Sequence, residues 1–96
     1  MIKYLENADD FDKIISEKVL VDFYADWCGP CRMLGPILEE LDNIQVLKVN
    51  VDNFHEIANK YGVMSIPTLI LFKDGKEVSK MIGLRSKSDI ENMCNM

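Results

Sequence analysis

No run in the 96-residue chain approaches the roughly 18 to 20 apolar residues of a membrane-spanning helix, and Asp9, Asp10 and Asp12 fall where a secretory leader needs an apolar core. A cytoplasmic protein is therefore expected. Positive charge is scarce: 11 Lys and Arg against 16 Asp and Glu give a formal charge of -5. That leaves no basic stripe to release counterions from nucleic acid or an anionic membrane, and neither is an expected partner. The chain has three cysteines and one histidine. Three cysteines are too few for a secreted disulfide scaffold, and a reducing compartment fits them better. Repeats and Pro-, Gly- or Ser-rich linkers are also missing, so residues 1–96 are expected to form one domain around one core and to work as a monomer. A Gly-rich nucleotide-binding turn is absent too, and no bound cofactor is expected.

What is present is an alternation of strand and helix patterns. Residues 2–5 read as a strand and 8–16 as a short helix, with Phe11, Ile14 and Ile15 at helical spacing and Asp9 and Asp10 suited to its positive N-terminus. Residues 19–25 are apolar on both faces except at Asp22, the pattern of a central strand covered on each side. Met33, Leu34, Ile37, Leu38 and Leu41 then form the stripe of a buried-face helix, which Pro36 should kink near Arg32. A strand over 44–51 after that helix implies a right-handed crossover and parallel pairing. Residues 54–61 read as a helix ended by Gly62, and 68–72 as a strand after Pro67. Asp74-Gly75 makes a tight antiparallel hairpin, 76–82 alternates like an edge strand, and Ser86-Lys87-Ser88-Asp89 starts the last helix with a variant capping box. The expected fold is α/β, a mixed five-stranded β-sheet flanked by helices on both faces.

The chemistry-bearing feature is Trp27-Cys28-Gly29-Pro30-Cys31, set just after the central strand where a helix opens. Cys28 near the N-cap meets unpaired backbone N–H groups and the positive end of the helix dipole, which favour thiolate and make it the expected attacking sulfur. Cys31, a turn further in and shielded, is the expected resolving sulfur, at a separation an i, i+3 pair can bridge. Gly29 leaves the approach to Cys28 open, and Pro30 suits the first turn because its missing N–H has no intrahelical acceptor to lose. A purely structural disulfide across four residues gives only about 2 kcal/mol. Zinc needs about two further ligands, and only His55 and Cys94 are on offer, in no second close pair.

From Val21 to Cys31 the sequence Val-Asp-Phe-Tyr-Ala-Asp-Trp-Cys-Gly-Pro-Cys closely resembles the active-site stretch of the thioredoxin family. Pro36, Lys48-Val49-Asn50-Val51-Asp52, Tyr61-Gly62-Val63, Ile66-Pro67-Thr68, Phe72-Lys73-Asp74-Gly75 and Gly83 follow in that family's order. The resemblance covers essentially the whole chain and implies a thioredoxin fold. It departs at Tyr24, where relatives often carry a second Trp, and at Met64-Ser65 before Ile66. It implies a thiol-disulfide oxidoreductase that reduces protein disulfides through a reversible Cys28–Cys31 disulfide and is recycled by a thioredoxin reductase. It further implies a cis Ile66-Pro67 bond beside the dithiol and a shallow client-binding patch framed by Trp27, Gly29, Pro30, Ile66, Pro67 and Gly83. Asp22 and Lys48 resemble the family's buried carboxylate and its lysine neighbour. The apolar run around Asp22 independently argues for desolvation and a raised pKa, which would suit a proton acceptor under Cys31, with Lys48 tuning it.

Two rival readings remain open at this stage. One is a disulfide isomerase or oxidase, which would need an oxidising compartment; the other is a client-binding module in which the dithiol is only a switch. Cys94 follows Ile90 and Met93 at helical spacing and is expected to face the core, as are Met33 and Met81. His55 is expected to be a solvated helix residue, and Met64 is the one methionine expected to reach a client.

Overall fold

A computed structural model describes all residues, 1–96. The strands are Ile2–Tyr4 (β1), Val19–Tyr24 (β2), Gln45–Asn50 (β3), Thr68–Lys73 (β4) and Lys76–Ile82 (β5). The α-helices are Phe11–Ile14 (α1), Gly29–Glu39 (α2), His55–Lys60 (α3) and Lys87–Cys94 (α4). One mixed sheet holds the strands in the order β1-β3-β2-β4-β5. β1 and β2 run parallel to β3, while β4 is antiparallel to both β2 and β5. The apolar run 19–25 is thus the central strand, and Asp22 stands between Lys48 of β3 and Leu69 of β4.

Alternation along β2 splits the core in two. Val19, Val21 and Phe23 point to one face, where Leu47, Val49, Ile70 and Phe72 join Phe11 of α1 and Ala58 of α3. Leu20 points to the other, where Val46, Leu69 and Leu71 meet Leu34 and Leu38 of α2 and Ile90, Met93 and Cys94 of α4. Each large apolar side chain fully buried in these layers contributes about 1.5 to 3 kcal/mol. Asp22 shares the parity of Leu20, so it points to the face that α2 covers.

Local chemistry fixes the connections. Asp74 and Gly75 take φ of 55° and 81°, the pair of left-handed residues a two-residue hairpin needs, and Gly75 N–H donates to the Ile15 carbonyl at 2.8 Å. Ser86 caps α4 by accepting from Asp89 N–H at 3.1 Å. α2 continues through Pro36, whose ring nitrogen has no hydrogen to donate to the Arg32 carbonyl.

Two expectations need correction. The helix read over 8–16 is a 3-10 turn, Ala8–Asp10, followed by the short α1. Asn7 Oδ1 accepts Asp9 N–H at 3.0 Å and Phe11 N–H bonds back three residues to Ala8, which tightens the first turn. Met33 is not a core residue: it is 63% exposed, because the stripe facing the sheet runs through Cys31, Leu34 and Leu38, and position 33 lies about 100° round the helix from 34. Met81 is partly buried against the α2 and α4 core, Cys94 is buried in it, and His55 and Met64 are exposed.

Candidate active site: a disulfide at the head of α2

The chain leaves β2 at Tyr24 and turns, with Cys28 N–H donating to the Ala25 carbonyl at 3.2 Å. Cys28 is the N-cap of α2, and its Sγ accepts the Cys31 N–H at 3.2 Å, the position a serine oxygen would hold in an ordinary cap. Charge developing on that sulfur would meet a backbone donor and the positive end of the helix. Cys28 and Cys31 are joined as a disulfide, with Cα atoms 5.2 Å apart. A Cβ built on Gly29 meets nothing within 4 Å, and Pro30 is exposed in the first turn, so the approach from solvent is unobstructed there.

The structure corrects one expectation about the sulfurs. Cys28 is 5% exposed and Cys31 2%, so accessibility separates them little in the disulfide state. Ala25, Tyr24, Val51 and Ile66 pack around the pair and take up most of its surface. What distinguishes Cys28 is its place at the cap.

The residues expected to meet a client lie in the turn before α2, in the first turn of that helix and in the segments flanking β4 and β5. Trp27 is 68% exposed, and its Nε1 donates to Asp52 Oδ2 at 2.9 Å, which fixes the indole beside the turn. The Ile66 carbonyl oxygen lies 3.9 Å from Cys28 Sγ; in a disulfide that sulfur has no hydrogen, so this is packing contact. The Ile66-Pro67 bond is cis, as expected. Pro67 is buried and shapes the loop from beneath, while Gly83, at φ 89°, donates its N–H to the Pro67 carbonyl at 2.8 Å.

On the face of β2 that α2 covers, Asp22 is completely buried and neither carboxylate oxygen has a hydrogen-bond partner. Lys48 Nζ is 3.7 Å from Oδ2, too long for a hydrogen bond but close enough for strong Coulomb attraction. Burial raises the Asp22 pKa from an ordinary 3.8 to about 6, and Lys48 opposes that rise without cancelling it. Nowhere do three or more His, Cys, Asp or Glu side chains gather to hold a metal ion, and no helix is long and apolar enough to cross a membrane.

Three residues at the site escaped the sequence reading. Asp52 was visible only as the end of a matching stretch, Tyr24 only as a departure from it, and Tyr4 carried no signal. Tyr4 and Tyr24 are placed by strand order and register, and Asp52 by the turn after β3, where its N–H donates to Asn50 Oδ1 at 2.9 Å.

Comparison with known proteins bears on the same residues. A model of the thioredoxin family matches residues 2–96. A thioredoxin of Chlamydia pneumoniae is 52% identical over 101 residues, covering 99% of this chain and 97% of that protein. Among solved structures, a mutant thioredoxin from Halobacterium salinarum NRC-1 superposes with a TM-score of 0.91 at 38% identity, over 98% of this chain and 88% of that one. The oxidized form of mitochondrial thioredoxin 3 from Saccharomyces cerevisiae gives a TM-score of 0.86 at 34% identity, over 98% and 93%. Sequence, fold and dithiol agree, and the chain belongs to the thioredoxin family and is a thiol-disulfide oxidoreductase that reduces protein disulfides.

Proposed function

We propose that Cys28 is the nucleophile and Cys31 the resolving thiol, with Asp22 the proton acceptor and Lys48 its tuning charge. The Cys28 thiolate attacks one sulfur of a client disulfide, forms a Cys28–client bond and expels the other client sulfur as a thiolate, which takes a proton from solvent. Cys31 then gives its proton to the Asp22 carboxylate, attacks Cys28 Sγ and expels the second client thiolate. Two electrons pass from the protein dithiol to the client, and the Cys28–Cys31 disulfide is what remains. Trp27, Gly29, Pro30, Ile66 and Gly83 form the face that receives the client, while Pro67, expected in the same patch, is buried and shapes the backbone beside it rather than lining it. Ile66 lies before β4, and its N–H and carbonyl make no backbone hydrogen bond within the chain, so both can pair with an extended client segment.

A thioredoxin reductase restores the dithiol in this reading, and disulfide-containing proteins are the clients. Residues 1–96 act as one monomeric, cytoplasmic domain. Support for a reducing compartment comes from the buried Cys94 thiol, left unpaired in a chain whose other two cysteines are built to cycle.

The observation that carries the assignment is the Cys31 N–H directed at Cys28 Sγ, since it stabilises negative charge on one sulfur and not the other. Cys31→Ser should trap clients as stable mixed disulfides at Cys28, whereas Cys28→Ser should trap none. Trapping by Cys28→Ser alone would reverse the roles. A double Cys28→Ser, Cys31→Ser variant that still supported the client-directed activity would instead favour the binding-module reading.

A further inference from the structure

Three strands bring their side chains together at Lys48. In the parallel ladders it stands opposite Tyr4 on β1 and opposite Asp22 on β2, and Tyr24 lies two residues beyond Asp22 on the same face of β2. The ammonium therefore has a carboxylate on one side and aromatic rings on others. Nζ is 3.7 Å from Asp22 Oδ2, 4.5 Å from the Tyr24 ring centroid and 5.6 Å from that of Tyr4. The two rings meet edge to face with centroids 6.2 Å apart and planes at 79°, so each limits the movement of the other. A cation this close to ring faces is attracted by their quadrupoles, and more strongly where water is thin; the Lys48 side chain is only 12% exposed.

The ion pair alone does not fix the ammonium. Its distance to Asp22 exceeds hydrogen-bond reach, and a lysine stem regains rotamer freedom and hydration by swinging outward. The rings oppose that swing. Tyr24 also packs against the cluster of Ala25, Cys28 and Cys31, so one side chain adjoins both the dithiol and the cation that faces Asp22. The titratable and charged groups around this spot are Lys48 from β3, Tyr4 from β1, Tyr24 from β2, Asp26 from the turn after it and the cysteine pair at the head of α2. β4 places only the apolar Leu69 opposite Asp22.

We infer that Tyr24, braced by Tyr4, is a positioning residue that keeps the Lys48 ammonium against Asp22 and so governs how readily Asp22 takes the proton of Cys31. The inference rests on the reading of Asp22 as proton acceptor. Burial first, and the charges of Asp26, Tyr4 and Asp22 after it, hold the Tyr24 hydroxyl above its ordinary range, with Asn50 opposing. The ring is neutral under working conditions and acts on Lys48 through its face, which a phenylalanine also has.

Carbon-13 NMR titration of the Asp22 carboxyl in the oxidised protein tests this. Tyr24→Leu, which keeps an apolar side chain in place, should raise the Asp22 midpoint by about half a pH unit, and Tyr24→Phe should leave it unmoved. Lys48→Gln should raise it further, and adding Tyr24→Leu to Lys48→Gln should raise it no more. Tyr4→Leu, at a half-exposed edge position, should give a smaller rise and serves if Tyr24→Leu does not fold. The pH at which mixed-disulfide release accelerates should follow the midpoint in each variant. A midpoint unmoved by both tyrosine variants while Lys48→Gln shifts it overturns the positioning role. So does a fall in the midpoint, or a full additional rise in the Lys48→Gln background, since the ring would then act by excluding water. A release profile that ignores the midpoint in every variant overturns the proton-acceptor reading, and this inference with it.

Discussion

Replacing Asp22 by Asn removes a charge that the fold holds at a loss. The folded carboxyl titrates at about 6 against an ordinary 3.8, so between those values the native state keeps a proton that the unfolded chain has released. Stability from the neutral carboxyl is complete below 3.8 and is lost as pH rises through about 6. At 1.36 kcal/mol per pH unit, the ionised carboxylate costs the folded state about 3 kcal/mol above neutral pH. Asparagine stays neutral throughout. Its amide, like the carboxyl, meets no hydrogen-bond partner there, and Lys48, still held by the tyrosine rings, loses its counter-charge, a cost that keeps the expected gain at or below about 3 kcal/mol.

Asp22→Asn should therefore gain about 2 to 3 kcal/mol at pH 7.5, or roughly 10 °C in Tm for a domain of this size, and little or nothing at pH 4. Mixed-disulfide release should slow at the same time, since no carboxylate remains to take the Cys31 proton. Urea melts at pH 4, 6 and 7.5, run beside an insulin-reduction assay, measure both effects. A gain equal at pH 4 and pH 7.5 would show that the benefit is packing rather than charge. A variant less stable at pH 7.5 and fully active would make Asp22 structural and refute the linkage.

In the reduced protein, Cys28 should be alkylated before Cys31, because the cap donors favour its thiolate; peptide mapping that finds Cys31 labelled first reverses the assignment. Gly83→Ala should cost about 1 kcal/mol or more in a denaturant melt, since a Cβ is strained at φ 89° and the hydrogen bond to Pro67 holds the backbone there; unchanged stability would mean the loop relaxes freely. Cys94→Ala should lose about 1 kcal/mol of stability with undiminished disulfide reduction, because burial pushes that thiol up and away from thiolate chemistry; a fall in turnover would place Cys94 in the cycle.

What the sequence carried, and what it withheld, divides by the range of the interactions. The dithiol and its cap lie within one helical turn, from Cys28 to Arg32, so residue types and spacing suffice to assign them. Asp22 was legible because a charge inside an apolar run contradicts its own surroundings. Met33 misled because a stripe read over two turns does not say which flanking position faces solvent. The burial of Cys28 was hidden for another reason: Val51 and Ile66, which pack around it, come from segments more than 20 residues away and arrive only with the finished sheet.

Strand order has the same consequence for the tyrosines. Tyr4 and Tyr24 are twenty positions apart, and no periodicity links them. They meet because β3, though later in the chain, inserts between β1 and β2 and sets Tyr4, Lys48 and Asp22 in one row. A one-residue slip of β1 against β3 would turn Tyr4 to the other face, away from Lys48, while leaving the dithiol turn untouched. The proposed attacking sulfur thus depends on a local cap, whereas the environment of the proposed proton acceptor depends on register across three strands. Changes confined to β1 should for that reason alter the pH dependence of turnover before they alter the reactivity of Cys28.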